Sequence, residues 1–431
     1  MRIYRELTGA AVPLFLSMIT GMVGSLVGTA VLGRHSAATL AAFALCAAVM
    51  APASAGVAGA LRGLMPFVAP HRDNPAAALP ILRDARWLTI AVGALGAVFV
   101  VCTPLVATAS GAPAEVLAEF GSLPLLLALS VLVTAANGGA NTALVALGRS
   151  RPVLWSSLAT TVTMIVLTVA LVPAMGLNGA GIAQVAASVA GVTVANFFLH
   201  RVPGLSGFGI WPGRPRRTEI MALAKVGIPL SGTILIKFAG LGVVTYAAAR
   251  TGTQGTAAHA ILSSLTGFLM LASLSVATAS IPHMARAASG AEARKINMAT
   301  LLIAIAGALA GGLALVVAAG PLSSVFTEDP AVSAMVFALI PLMLVSAMAD
   351  AAQVVMGFGL TGLKKPAVSL AAMVIGYGLL VASSVPVVDA WGLDGIWTAT
   401  IVTNVLLIII QGAGFLRYSA KVGLSGVPAR A

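Results

Sequence analysis

Long, nearly uncharged apolar runs separated by short basic clusters set the rhythm of this chain. They fall at about 7–32, 39–61, 87–109, 120–147, 152–174, 179–199, 222–248, 256–285, 299–326, 332–363, 366–387 and 395–415. A helix of ~20 such residues, rising ~1.5 Å per residue, crosses the ~30 Å hydrocarbon core of a bilayer. The strands of a closed barrel would alternate polar and apolar residues, and these runs do not. The pattern predicts an all-α polytopic membrane protein with twelve transmembrane helices.

The basic residues fix an expected orientation. With the N-terminus in the cytoplasm and the loops assigned to alternate sides, 21 of the 24 Lys and Arg residues fall on the cytoplasmic side. Only Arg34 and Arg250 fall outside, and Lys237 lies within a span. Positive charge is retained on the cytoplasmic side of membrane proteins, so this asymmetry supports both the twelve spans and two cytoplasmic termini. The 27 uncharged residues from Leu7 to Gly33 exceed the apolar core of a signal peptide and read as a retained first span.

Segment 201–221 holds Pro203, Pro212, Gly213, Pro215 and several arginines, and reads as a cytoplasmic linker between lobes 1–200 and 222–431. The lobes repeat. Ala11-Val12-Pro13-Leu14 returns as Gly227-Ile228-Pro229-Leu230, and Ala41 to Leu45 as Ala257 to Ile261, both at an offset of 216. Gly176-Leu177-Asn178-Gly179 returns as Gly392-Leu393-Asp394-Gly395 at the same offset, and Gly148 to Pro152 matches Gly362 to Pro366 at 214. Four matches in order indicate duplication. Six spans per repeat means that both lobes enter the membrane in the same sense. They are then related by a pseudo-twofold axis along the membrane normal, an arrangement suited to alternating access.

Composition narrows the function classes. The 431 residues are 59% hydrophobic and 8% charged, beyond what a soluble core can bury. The net charge of +12 is explained by loops facing anionic lipid and does not call for nucleic acid. Cys46 and Cys102 lie in separate spans and read as small buried residues rather than a disulfide or metal pair.

Two charges lie deep in the second lobe. Lys237 is 15 residues in from Ala222 and Asp350 is 13 in from Leu363, so each sits ~20 Å from the cytoplasmic end, at one depth. A lone charge there costs ~2.5–3.5 kcal/mol even on lenient insertion scales, so the two are expected to pair. The pair reads either as a static lock between spans seven and ten or as a relay in which Asp350 takes up and releases a proton. Substrate-cavity candidates are Asn137, Asn141, Gln184, Gln353 and His259. Asn137 neighbours Ala136, the residue that the 214 offset sets opposite Asp350. His259 also reads as a hydrogen-bonded structural group, and His with two distant Cys gives no zinc spacing. Pro13 and Pro229 are candidate hinges or static kinks. Gly307 and Gly311 form a packing motif without functional weight.

These residues resemble the multidrug and toxic compound extrusion (MATE) family, within the group that includes polysaccharide and lipid-precursor flippases. The resemblance rests on Gly227-Ile228-Pro229, Ala257 to Ile261, Val325 to Pro330, Asp350-Ala351-Ala352-Gln353-Val354, Gly357 to Gly362 and Gly392 to Gly395. In the first half Gly33-Arg34 and Leu40-Ala41-Ala42 carry it. It implies export of amphiphilic compounds, driven by a proton or sodium gradient, by rocking two six-helix lobes. The chain departs from the family where many relatives carry an aspartate in span one, here Gly28, and in span five, near Val166 to Thr168. A glutamate of some relatives falls on Lys237, while Asp350 matches their acidic residue in span ten.

The expectation is therefore a bacterial inner-membrane antiporter for amphiphilic small molecules, coupled to protons through Asp350 with Lys237 as partner. A sodium gradient is the less favoured driving force. No bound cofactor or metal, no catalytic residue and no nucleic-acid partner is expected, and the protein reads as a monomer among membrane lipids. The rivals are a lipid-linked precursor flippase of the same fold, which would want more cavity arginines, and an integral membrane enzyme. An enzyme such as a prenyltransferase needs clustered aspartates, and Asp73 and Asp84 are too far apart to cluster.

Overall fold

The computed structural model describes residues 2–109, 114–206, 213–317 and 329–423, and all regular structure among them is helical. Of the motifs above, Val325 to Glu328 lie outside the described residues. Among the described residues nine apolar helical stretches are long enough to cross a membrane, and three are too long for one crossing. Residues 151–200, 217–285 and 366–419 run for 50, 69 and 54 residues. At ~1.5 Å per residue even the shortest would extend ~75 Å.

Each of the three is broken at a glycine in the left-handed region, namely Gly176 (φ 54°), Gly252 (φ 88°) and Gly392 (φ 58°). A Cβ is strained there, so glycine lets the chain reverse. Cross-bonds show the reversal. Ser156 Oγ donates to the Gly191 carbonyl at 3.0 Å, and Gln411 Nε2 donates to Ser369 Oγ at 3.1 Å. Within one straight helix those partners would lie ~50–60 Å apart.

Among the described residues twelve helices long enough to cross a bilayer result. They are α1 (Arg2–His35), α2 (Ala37–Arg62), α3 (Leu79–Val101), α4 (Leu123–Ala146), α5 (151–175), α6 (177–200), α7 (Arg217–Ala248), α8 (Gly252–Ala285), α9 (Gly290–Val317), α10 (Pro330–Gly362), α11 (366–391) and α12 (393–419). Short helical turns at Met65–Val68, Pro75–Ala78, Thr103–Ala109 and Ala114–Ala118 fill the loops of the first half. Several helices open on proline, whose missing N–H would lack a partner there anyway. Asp329 caps α10 by accepting from Ala331 N at 2.8 Å.

The repeat is visible in the backbone. After α4, Arg149 N donates to Leu144 O at 2.8 Å and Gly148 N to Val145 O at 2.9 Å. After α10, Lys365 N donates to Leu360 O and Lys364 N to Thr361 O at the same two distances. Both are helix ends closed through a left-handed residue, Gly148 (φ 77°) and Lys364 (φ 59°). The offset between these turns is 216, as elsewhere in the repeat. The 214 spacing of Pro152 and Pro366 reflects two fewer residues between the second turn and its following helix.

The chain divides into two compact units, Pro13–Ile234 and Leu235–Ala431 with Met1–Val12. The openings of α1 and α7 are thus exchanged relative to the sequence halves. Ile3 packs on a cluster containing Met284, Leu360 and Phe415, and Glu6 Oε2 lies 3.9 Å from His283 Nδ1. In the other unit, a Cβ on Gly63 would come 2.5 Å from Gly227 Cα, so α2 and α7 touch backbone to backbone. The unit cores are aliphatic, with Leu32, Val57, Leu127 and Val131 in one and Leu262, Met343, Tyr377 and Leu407 in the other.

The paired turns predict opposite responses. Gly148→Val forces a branched side chain into a left-handed residue, with its Cβ 2.7 Å from the Arg72 guanidinium, and should destabilise by roughly 1–3 kcal/mol. Lys364→Gly relieves the same backbone cost and should leave the thermal midpoint equal or higher, by up to ~1 kcal/mol. Melting curves of the purified variants check both.

Candidate functional site

Most helices in the second unit present one face to their neighbours, but α10 is buried nearly all round from Ser346 onward. It packs against α8, α9 and α11. Small residues make this possible. A Cβ at Gly359 would come 2.6 Å from Asn297 Oδ1 on α9, and one at Gly362 would come 2.6 Å from Met284 on α8. A carboxylate on such a helix cannot reach water by snorkelling and needs a partner within the protein.

Asp350 has that partner. It is 7% exposed, and its Oδ1 accepts from Lys237 Nζ on α7 at 2.5 Å. Tyr377 on α11 is buried beside them. Its ring occupies the space where a Cβ on Gly240, three residues past Lys237, would stand. Met343 and Ala347 extend the same apolar wall. Burial away from water strengthens the attraction and raises the cost of removing either member alone. The Arg216–Asp84 and Arg250–Asp389 pairs, by contrast, lie near helix ends or in turns.

One turn further along α10, Gln353 is 1% exposed, and its Nε2 donates to Gln411 Oε1 at 3.3 Å. Gln411 donates in turn to Ser369, so the chain of bonds ties α10 to α12 and α11. Gly357 leaves room for it, since a Cβ there would sit 3.0 Å from Ser369 Oγ. His259 is buried on α8, with Nε2 3.3 Å from Ser263 Oγ and its ring 5.7 Å from that of Trp397.

In the first unit Asn141 Nδ2 approaches Ser156 Oγ at 3.4 Å, joining α4 to the hairpin of α5 and α6. Gln184 is half-buried on α6. The side chain of Asn137 lies outside the described residues. Pro13 and Pro229 sit inside α1 and α7, close to where the two compact units meet in sequence.

The repeat alignment is corrected at this site. The turns after α4 and α10 superpose at an offset of 216, which sets Thr134, not Ala136, opposite Asp350 and makes Asn137 the counterpart of Gln353. Thr134 Oγ1 lies 3.1 Å from Ser188 Oγ on α6, so a neutral hydrogen bond stands where the second repeat has an ion pair. Gly21 is the counterpart of Lys237. Sequence reasoning missed Thr134, Tyr377 and Gln411. The polar Gln411 within an apolar span was a usable signal, whereas Tyr377 gave none, because an aromatic residue in a span is ordinarily packing. No group of three or more potential metal-ligating side chains occurs among the described residues.

The duplicated apolar helices define a polytopic membrane protein. Comparison with known proteins agrees. The MatE family model matches residues 229–386. A probable multidrug resistance protein NorM from Aromatoleum aromaticum is 26% identical over 379 residues, covering 82% of this chain and 79% of the relative. The crystal structure of the Vibrio cholerae MATE transporter VcmN in its bent form matches with a TM-score of 0.84 at 18% identity, covering 98% of each chain. A Pyrococcus furiosus transporter of the MOP superfamily, described as having a binding pocket of reverse polarity that suggests a different function, matches with a TM-score of 0.83 at 17% identity over 97% of this chain and 96% of its own. The chain is thus similar to the MatE family over 229–386, to bacterial NorM proteins along most of its length, and in fold to MATE transporters.

If Lys237 and Asp350 hold each other in place, removing one strands the other. Asp350→Asn and Lys237→Met should each destabilise by ~3–5 kcal/mol, and the double variant Asp350→Leu with Lys237→Met should recover most of that loss. Thermal unfolding in detergent gives the comparison. Additive losses would show that the two side chains do not depend on each other.

Proposed function

We propose that this chain is a secondary active exporter of amphiphilic small molecules, including drugs, toxins or natural products, in the bacterial plasma membrane. Lobes 1–200 and 222–431, joined by linker 201–221, alternate access to the two sides, with both termini in the cytoplasm. Proton entry is coupled to export through Asp350, with Lys237 as its partner. The drug-resistance names of the relatives support the substrate class. The protein acts as a monomeric carrier among membrane lipids, uses no cofactor beyond the gradient and is a transporter rather than an enzyme.

The observation that carries this reading is the buried Lys237–Asp350 pair. A proton needs one lone pair of the carboxylate. A metal cation, by contrast, would have to compete for the carboxylate with the Lys237 ammonium already bonded to Oδ1. Sodium is therefore the weaker candidate. Protonating Asp350 removes its attraction for Lys237, and the freed ammonium then seeks water or a substrate. This gives two states whose balance a proton shifts, as alternating access requires.

A second reading follows from the sign of Lys237. An organic anion could take the place of Asp350 beside the ammonium, making the protein an exporter of acidic amphiphiles. A lipid-linked precursor flippase is the variant of that idea with the largest substrate, and a single deep lysine is little to hold a pyrophosphate.

Uptake into everted vesicles decides among these. Cationic, neutral and anionic compounds are offered under an imposed proton gradient at constant sodium, and under a sodium gradient at constant pH. The proton gradient should drive transport, and Asp350→Asn and Lys237→Ala should lower it at least ~10-fold. Sodium-dependent transport without a pH response would end the proton reading. Normal transport by both variants would remove the pair from the mechanism, and selective transport of anions would favour the second reading.

A further inference from the structure

In the second unit a cavity of about 530 Å³ opens between α11 and α12, within the ~300–1,000 Å³ typical of small-ligand sites. Two rows of side chains at four-residue spacing make its walls. Leu379, Ser383, Val387 and Trp391 follow one another along α11, and Asp394, Thr398, Val402 and Leu406 run back along α12. Residues four apart share a helix face, so each row is a ridge ~18 Å long. The ridges close on each other at the Gly392 reversal, where a Cβ on Gly395 would come 2.9 Å from the Val387 carbonyl oxygen. Leu379, Trp391 and Val402 are exposed although strongly apolar. Large apolar side chains left open on crossing helices face hydrocarbon, so the cavity is a trough open to the membrane.

The trough is apolar along its length and charged at one end. Ser383 Oγ donates to Leu380 O at 3.3 Å and Thr403 Oγ1 to Ala399 O at 2.9 Å, so these hydroxyls serve their own helices. At the reversal stand Trp391, Asp394 and Thr398. The repeat shows what is unusual there. Asn178, the counterpart of Asp394, is tied down, its Oδ1 accepting from Ser122 Oγ at 2.8 Å. The offset of 216 sets Ala338 opposite Ser122, so the second unit has a carboxylate for the amide and a methyl for the hydroxyl. Asp394 is exposed and takes part in no hydrogen bond or ion pair among the described residues. Arg250, at the same end, is engaged by both oxygens of Asp389, at 2.8 and 3.0 Å. The charge at the head of the trough therefore stays negative.

An exposed tryptophan at the end of a crossing helix marks the level of lipid head groups. An apolar trough that reaches this level at a carboxylate complements a hydrocarbon tail joined to a positively charged head with N–H donors. We propose that the trough binds one phosphatidylethanolamine, its ammonium on Asp394 beside Thr398 and Trp391 and one acyl chain between the two ridges. The ammonium donates charge-assisted hydrogen bonds to the carboxylate. A trimethylammonium head has no N–H to donate, and an anionic phosphatidylglycerol is repelled. The site lies wholly in the second unit, shares no residue with Lys237 or Asp350 and stands irrespective of what the protein exports.

The test uses the full-length protein purified in detergent with equal amounts of phosphatidylethanolamine, phosphatidylcholine and phosphatidylglycerol, and native mass spectrometry counts the lipid retained. Wild type should retain phosphatidylethanolamine over each of the others by ~5-fold. Asp394→Asn, which restores the side chain of the first repeat, should abolish the preference, and Asp394→Glu should keep part of it. Ser383→Phe, which fills the middle of the trough, should lower retention of all three lipids. Equal retention by wild type would overturn the proposal, as would an undiminished preference in Asp394→Asn. In a second mixture dodecyltrimethylammonium replaces phosphatidylcholine. Its retention ahead of phosphatidylethanolamine would assign the trough to a free cationic amphiphile and overturn the lipid assignment. Should Asp394→Asn fail to fold, unchanged phosphatidylethanolamine retention by Ser383→Phe overturns it instead. Retention is read without any transport assay, so failure of the proton-coupled export reading leaves this result intact.

Discussion

A bilayer supplies no hydrogen-bond partners and almost no screening, so each polar group carried into it must be matched by another the protein brings. The Lys237–Asp350 bond is the sharpest instance in this chain. It joins α7 to α10, the helix most completely enclosed in the second unit. The enclosure and the bond require each other. A carboxylate on a lipid-facing helix could snorkel toward an interface, whereas one surrounded by α8, α9 and α11 has only protein to turn to. The glycines of α10 make the enclosure possible, because they admit Asn297, Met284 and Ser369 to van der Waals distance of its backbone.

The two repeats keep the same backbone devices and spend them on different chemistry. Left-handed turns follow α4 and α10 with matching bond lengths, and left-handed glycines reverse the chain at Gly176 and Gly392. The side chains then diverge. Thr134 and Gly21 occupy the places of Asp350 and Lys237, and the first unit closes its helix contacts with neutral bonds such as Thr134–Ser188 and Ser156–Gly191. Duplication supplied two similar helical frames, and charge was retained inside only one.

The polar side chains singled out as cavity candidates show how helix packing redistributes such residues. Gln353 and His259 are buried and engaged between helices, Gln353 with Gln411 and His259 with Ser263. In an apolar interior a carboxamide or an imidazole does most for stability by bonding a neighbouring helix, and that use competes with display to a substrate. Asp350 differs because its bond to Lys237 joins two opposite charges.

Much of this molecule was readable before any coordinates. The apolar runs gave the twelve crossings, since length and hydrophobicity alone decide what can span hydrocarbon. The common offset of 216 gave the duplication, and counting inward from helix ends set Lys237 and Asp350 at one depth. Three things were settled only by folding. The hairpin turns at Gly176 and Gly392 follow from backbone angles that residue identity permits without requiring. The pairing of Thr134 with Asp350 across the repeat needed the turns themselves, because two missing residues before Pro366 shift a match made on letters. The contacts of Tyr377 and Gln411 arise between segments far apart in the chain. Sequence periodicity records which face of a helix is apolar, but which neighbour that face meets is decided by how all the helices pack at once.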